Sequence, residues 1–153
     1  MKVCQTDNQA MGEESLMLDN QVCFPLYSAA NAVIRTYRPL LDKLELTYSQ
    51  YLVMMVLWEN DGISVKDIGS RLHLDSGTLT PLLKRLEGKG FVLRERSEVD
   101  ERVRVLKLTQ EGISLKQTAM QVPAEMKCKI QLELDELLEL KRLCEKVIKT
   151  IDA

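Results

Sequence analysis

From Val22 onward, apolar residues recur at steps of three and four: Val22, Leu26, Ala29, Ala30, Val33, Ile34, Tyr37 and Leu41. That spacing predicts an amphipathic helix with one face turned to a core. Asp19 and Asn20, just ahead of it, are good N-cap candidates, because a short side-chain oxygen can accept from N–H groups that lack a partner in the first turn. Pro25 either sets the first turn close to Cys23 or bends the helix there. Thr47 and Ser49 precede a second, largely apolar helix running to about Trp58, and Asn60-Asp61-Gly62 ends it with turn chemistry.

Two short helices follow in quick succession. The first, from about Ser64 to Leu72, is expected to bury Val65, Ile68 and Leu72. The second starts at Asp75 or Ser76 and is expected to bury Leu79, Leu82, Leu83 and Leu86, with Gly88 and Gly90 stopping it. Joined through His73-Leu74, the pair reads as a helix-turn-helix. Phe91 to Arg96 and Val103 to Leu108 read as two strands around the polar loop Ser97 to Arg102, a hairpin placed as a wing. Thr109 caps a further helix running towards Pro123 or past it. A last helix, roughly Leu132 to Ile151, carries Leu137, Leu140, Cys144, Val147 and Ile151 as a heptad-like seam suited to another helix. The fold class is therefore mainly α with a small β-hairpin wing, a winged helix-turn-helix. Its end helices carry more apolar surface than a lone small domain needs, so dimerisation through the N- and C-terminal helices is expected. The expected organisation is a mobile leader over 1–17, a dimerisation helix over 18–46, the DNA-binding region over 47–109, and C-terminal dimerisation helices over 110–153.

Composition narrows the class. The chain has 153 residues, 45% of them hydrophobic, enough for one domain with a real core. Neither a bilayer-length apolar run nor the basic-then-apolar order of a signal peptide is present, so a soluble, cytoplasmic protein without membrane association is expected. The cysteines at 4, 23, 128 and 144 contain no Cys-x-x-Cys, and His73 is the sole histidine. That argues against a structural zinc site, a histidine-based catalytic triad and a disulfide framework, and no metal or cofactor is expected. The net charge of -2 does not advertise nucleic-acid binding. Its distribution is more informative: Lys66 to Lys107 holds 10 Lys+Arg against 7 Asp+Glu, leaving 11 and 16 for the rest.

On the second helix of the pair, the inward leucines leave Ser76, Thr78, Thr80, Lys84 and Arg85 on the other sides. Small hydroxyls and a helix N-terminus suit phosphates or base edges, and Lys84 and Arg85 add charge one to two turns later, as in a helix lying in a major groove. Arg102, near the wing tip, is placed for a minor groove. The candidate contacts to double-stranded DNA are Asp75, Ser76, Thr78, Thr80, Pro81, Lys84 and Arg85 in the helix, with Arg94, Arg96, Asp100 and Arg102 in the wing. The plainer reading, a solvated helix and hairpin, uses the same pattern.

Longer runs go further. Asp100-Glu101-Arg102 followed by Leu108-Thr109 resembles the wing motif of the MarR family of winged-helix regulators. The segments 18–24, 37–42, 46–52 and 74–85 resemble its organic-hydroperoxide-sensing branch, the OhrR-type repressors. The likeness is looser in the C-terminal third. It implies a triangular homodimer, interlocked through the N- and C-terminal helices, with two winged heads on successive turns of an inverted-repeat operator.

Cys23 falls in the first turn of a helix, where the macrodipole favours the thiolate, the nucleophile towards peroxides. A buried, inert thiol is the alternative. Tyr27 lies one turn on. Tyr37, fourteen residues on, is about 21 Å along a straight helix but returns to nearly the same face, so an antiparallel partner helix could bring it to Cys23. The resemblance implies that partner-subunit tyrosines matching Tyr37 and Tyr48 hydrogen-bond the sensing cysteine, with Tyr27 nearby. Ordinary packing is the alternative for each, and the preferred reading for Tyr51. Cys128 sits between Lys127 and Lys129. The resemblance implies a resolving role for it, through an inter-subunit disulfide with Cys23, and a passive surface thiol is the alternative. Cys144 reads as structural and Cys4 as incidental. Two rival functions remain: a MarR-type repressor released by a non-covalent phenolic ligand, and a thiol peroxidase using Cys23.

Overall fold

The computed structural model describes residues 12–152; Cys4 and most of the expected leader lie outside them. Two 3-10 turns, Glu13–Leu16 and Leu18–Asn20, precede α1 (Cys23–Asp42). Asp19 and Asn20 therefore do not cap α1 as expected. They sit inside the second turn, where Asn20 Nδ2 donates to the Glu14 carbonyl at 2.8 Å. Pro25 takes the third position of α1, where its missing N–H would have had no helical partner. Pro39 lies inside the helix and leaves the Arg35 carbonyl without its usual donor. The chain divides after Arg35 into two compact units.

α2 (Tyr48–Glu59) opens on a full capping box: the Thr47 hydroxyl accepts from the Gln50 N–H, and the Gln50 side chain accepts from the Thr47 N–H at 3.0 Å. Buried Gln50 also accepts from Lys89 Nζ at 3.0 Å, and that ammonium further donates to the Glu45 carbonyl. α2 supplies the centre of the core with Tyr51, Val53, Met54, Val56 and Leu57.

α3 (Val65–Leu72) and α4 (Ser76–Gly88) form the expected helix-turn-helix. His73 caps α3 in the left-handed region at φ 54°, and Gly69 lies so close to the turn that an added Cβ would meet the Leu74 carbonyl oxygen at 2.9 Å. All four expected leucines of α4 are buried. On α3 only Ile68 is; Val65 and Leu72 are half-buried, because a two-turn helix carries its end residues to the rim of the core.

The expected two-stranded hairpin is present, and a third, two-residue antiparallel strand from ahead of the helix-turn-helix joins it. β1 (Ile63–Ser64) pairs with β3 (Arg104–Leu108), and β3 with β2 (Val92–Arg96). Asp61 Oδ1 accepts from the Gly62 and Leu108 N–H groups at 2.9 and 2.8 Å and ties the turn before β1 to β3.

The single helix expected after Thr109 is two: α5 (Gln110–Ala119) and α6 (Val122–Ile130), with Pro123 in the first turn of the second. α7 (Leu134–Ile151) starts later than expected, at a capping box made by Glu133 and Glu136. Among the described residues no helix is long and apolar enough to cross a membrane.

Candidate DNA-reading head and thiol site

Asp75 closes the N-terminus of α4. Its Oδ1 accepts from the Thr78 N–H at 2.7 Å, and that bond holds its carboxyl below the usual range. Its negative charge at this end of the helix is spent on the cap, leaving Ser76, Thr78, Thr80, Pro81, Lys84 and Arg85 exposed along the outer faces. Pro81 has no N–H, so the Gly77 carbonyl loses its helical donor in the outward-facing second turn. An open groove of about 670 Å³ runs beside this end of α4, lined by Lys66, Gly69, Ser70, His73, Asp75, Ser76 and Asp152 among others. On its rim, His73 Nδ1 lies 3.6 Å from Asp152 Oδ2.

The wing candidates divide. Arg94 is half-buried, with Nε 2.9 Å from Glu87 Oε2 of α4, so its guanidinium fastens the wing to the helix. Asp100 shapes the tip: its Oδ1 accepts from the Arg102 N–H at 3.0 Å. Arg96 and Arg102 are exposed, and like Lys84 and Arg85 they enter none of the ion pairs among the described residues. Charge composition alone could not separate Arg94 from Arg96; what separates them is a carboxylate seven residues away on another element.

Cys23 is the first residue of α1, and its thiol is free and exposed. Tyr27, one turn later, is 67% exposed. Tyr37 and Tyr48 are brought together, their ring centroids 4.8 Å apart, and Tyr51 joins them at 6.0 Å from Tyr37. Burial, then the neighbouring Tyr48 and Tyr51, push the Tyr37 hydroxyl up to about 12; burial also raises Tyr48, and burial followed by Tyr48 raises Tyr51. All three phenols are therefore protonated near neutral pH and can donate a hydrogen bond. Tyr51, read from the sequence as packing, continues the cluster to Trp58 at 6.5 Å. Its three-residue step from Tyr48 was the available signal.

Cys128 is free and exposed in the last turn of α6. Lys127 and Lys129 flank it in the chain. Cys144 is free and half-buried on α7. Of the other expected seam residues Leu137 is also half-buried, whereas Leu140 is 48% exposed, Val147 42% and Ile151 75%.

Comparison with known proteins places these features. Residues 35–119 match the family model described as transcriptional regulator SarA/Rot. The organic hydroperoxide resistance transcriptional regulator of Bacillus subtilis is 41% identical over 138 residues, covering 90% of this chain and 94% of that protein. Among solved structures, reduced AbfR bound to DNA superimposes with a TM-score of 0.75 at 34% identity, covering 92% of this chain and 98% of that one. Disulfide-formed AbfR superimposes with a TM-score of 0.64 at 34% identity, covering 88% and 95%.

Proposed function

The chain belongs to the SarA/Rot transcriptional regulators, winged-helix proteins of the MarR type, and on that premise we propose that it is a repressor that senses organic hydroperoxides through Cys23. As a homodimer in the reduced state it holds an inverted-repeat operator through α4 and the wing. The contacts come from Ser76, Thr78, Thr80, Pro81, Lys84 and Arg85 and from Arg96 and Arg102, while Asp75, Arg94 and Asp100 hold those elements in place. The observation that carries this reading is a free, exposed thiol at the first position of α1, in a chain 41% identical to a hydroperoxide-resistance regulator.

The chemistry needs two thiols and one peroxide. The Cys23 thiolate attacks a peroxide oxygen, the O–O bond breaks, and the alkoxide leaves and takes a proton, giving a sulfenic acid. The thiolate of the partner subunit's Cys128 then attacks that sulfur, forming the S–S bond and expelling hydroxide, which leaves as water. Phenols kept protonated at Tyr37 and Tyr48, with Tyr27 one turn from the thiol, are suited to donate to the attacking thiolate. A disulfide requires Cα atoms within about 7 Å, so a more distant pair must pull helices with it and take the two heads off the spacing of one DNA turn, about 34–36 Å. The better match of this fold to the reduced, DNA-bound form of AbfR than to its disulfide form supports a change of shape between such states.

The test is binding to a palindromic site from the protein's own promoter, before and after an organic hydroperoxide. Wild type is expected to release it. Cys23→Ser should bind and stay bound, and Cys128→Ser should lose thiol reversibility or over-oxidise. Peroxide release that survives Cys23→Ser would overturn the sensing role, and release of that variant by a phenolic ligand alone would point to the non-covalent alternative.

A further inference from the structure

Two arginines face each other across the wing. In the register of β2 and β3, Arg96 lies opposite Arg104, Arg94 opposite Leu106 and Val92 opposite Leu108. Strand side chains alternate between faces, so these six share one. It is the inner face, because Val92 and Leu106 are fully buried and Arg94 reaches Glu87 of α4. Among the described residues no carboxylate pairs with the outer two, and several of those nearby have other partners. Glu87 holds Arg94, Glu95 lies on the opposite face and pairs with Lys107 at 3.0 Å, and Asp100 accepts from the Arg102 backbone. Arg96 and Arg104 are both exposed, and among the described residues neither enters an ion pair.

Like charges directly opposite each other destabilise a sheet. The register cannot slip to relieve them, since a one-residue shift would turn Val92 and Leu106 outward. Arg104 also lines two grooves at once. One, about 280 Å³, includes Glu87 and Arg94; the other, about 430 Å³, includes Lys66 and Arg102 with a single carboxylate, Asp67, which accepts from the Ser64 hydroxyl at 2.7 Å. The result is an open, mainly basic cradle where the paired strands of the wing meet the tip loop. Guanidinium forks match the paired oxygens of a phosphodiester.

We propose that Arg96 and Arg104 together clamp a backbone phosphate of the bound DNA, so that the wing grips the duplex where its paired strands end as well as through Arg102 in the tip loop. The inference rests on the DNA-binding reading above and adds Arg104 to it. A phosphate contact carries position and charge but no sequence information.

The test uses the full-length reduced protein, a duplex carrying the promoter palindrome and a mixed-sequence duplex, each over a series of salt concentrations. Arg104→Gln and Arg96→Gln should weaken both duplexes by the same factor and lower the slope of log affinity against log salt by about 0.9 for each phosphate no longer neutralised. Arg104→Lys should keep the wild-type slope. Free Arg104→Gln should melt at or above the wild-type temperature, because the opposed charge is gone, so weaker DNA binding cannot be assigned to misfolding. A Gln variant with the wild-type slope, or a loss confined to the palindrome, would overturn the clamp. A wild-type protein that binds neither duplex would instead overturn the reading on which the clamp rests.

Discussion

In α2, α3 and α4 of the winged head, large apolar side chains find their cover within the chain; along α7 they do not. Leu83 and Leu86 of α4 are 1% and 0% exposed, whereas Leu134 and Leu138 of α7 are 61% and 58% exposed. The polar groups follow suit. Thr47, Ser64, Asp75 and Thr109 each cap a helix by accepting a backbone N–H, and Trp58 Nε1 donates to the Gly112 carbonyl at 2.9 Å. α7 has a capping box of its own and ion pairs such as Arg142 with Glu139, but no residue of it is buried. Both regions are well-formed helices. The difference is that α4 has its apolar face covered within the chain, while α7 leaves a row of apolar side chains open.

The strongest way to break the head is at Gly112. A Cβ there would meet the Phe91 carbonyl oxygen at 2.1 Å, while Phe91 already holds the Thr109 N–H and Gly112 already serves Trp58. Gly112→Ala must push α5 away from the start of β2, at a cost on the order of 3 kcal/mol. Urea unfolding followed by circular dichroism checks it, and a stability within error of wild type would show that the closure described for the head is loose. On α7 the expected effect is of another kind. Leu140→Glu with Val147→Glu should leave head stability within about 0.5 kcal/mol. If the seam is the dimer contact, the sedimenting mass should fall from two chains to one, and operator affinity by about 100-fold as two tethered heads become one. A variant that stays dimeric removes the seam from the interface.

Smaller again is the loss of a cap. The Thr109 hydroxyl accepts from the Gly112 N–H at 3.1 Å and donates to the Gly90 carbonyl at 2.6 Å, so it fixes both the start of α5 and the exit from α4. Thr109→Ala should lower unfolding free energy by about 1–2 kcal/mol, with operator affinity of the folded protein little changed. A loss below about 0.3 kcal/mol would mean that water replaces both bonds.

The same contrast explains what could be read in the chain beforehand. α4 was legible because its leucines recur at i, i+3, i+4 and i+7 behind Asp75, a local pattern with a local cap. The open seam of α7 was legible for the same reason. β1 was not, since two residues carry no alternation and exist as a strand only through β3. The break between α5 and α6 was hidden because no glycine marks it, and Pro123 is as compatible with a kink as with a first turn. In the site, the exposure of Lys84 and Arg85 followed from the leucine face. The diversion of Arg94 to Glu87, and the opposition of Arg96 and Arg104, depend on strand register, which no single segment encodes.

The finest test lies at the aromatic cluster, where the closed packing around Tyr51 thins to the half-buried rings of Tyr37 and Tyr48. An unfolded tyrosine ionises near 10, whereas burial, then Tyr48 and Tyr51, hold Tyr37 in the fold at about 12. Between those values the unfolded chain has released a proton that the folded chain still keeps, so rising pH favours unfolding. The stability contributed by Tyr37 is therefore complete below pH 10 and is lost as pH climbs through about 12. Tyr37→Phe removes the titrating group, so its melting temperature should fall less steeply than wild type across that window, whereas Thr109→Ala should lower the curve without changing its slope. Absorbance of the tyrosinate band in the native protein gives the companion readout, a late-ionising component present in wild type and missing from Tyr37→Phe. Parallel wild-type and Tyr37→Phe melting curves would mean that water reaches this hydroxyl freely, which would put the cluster on the open side of the molecule with α7 and leave the phenols no drier than any on the surface.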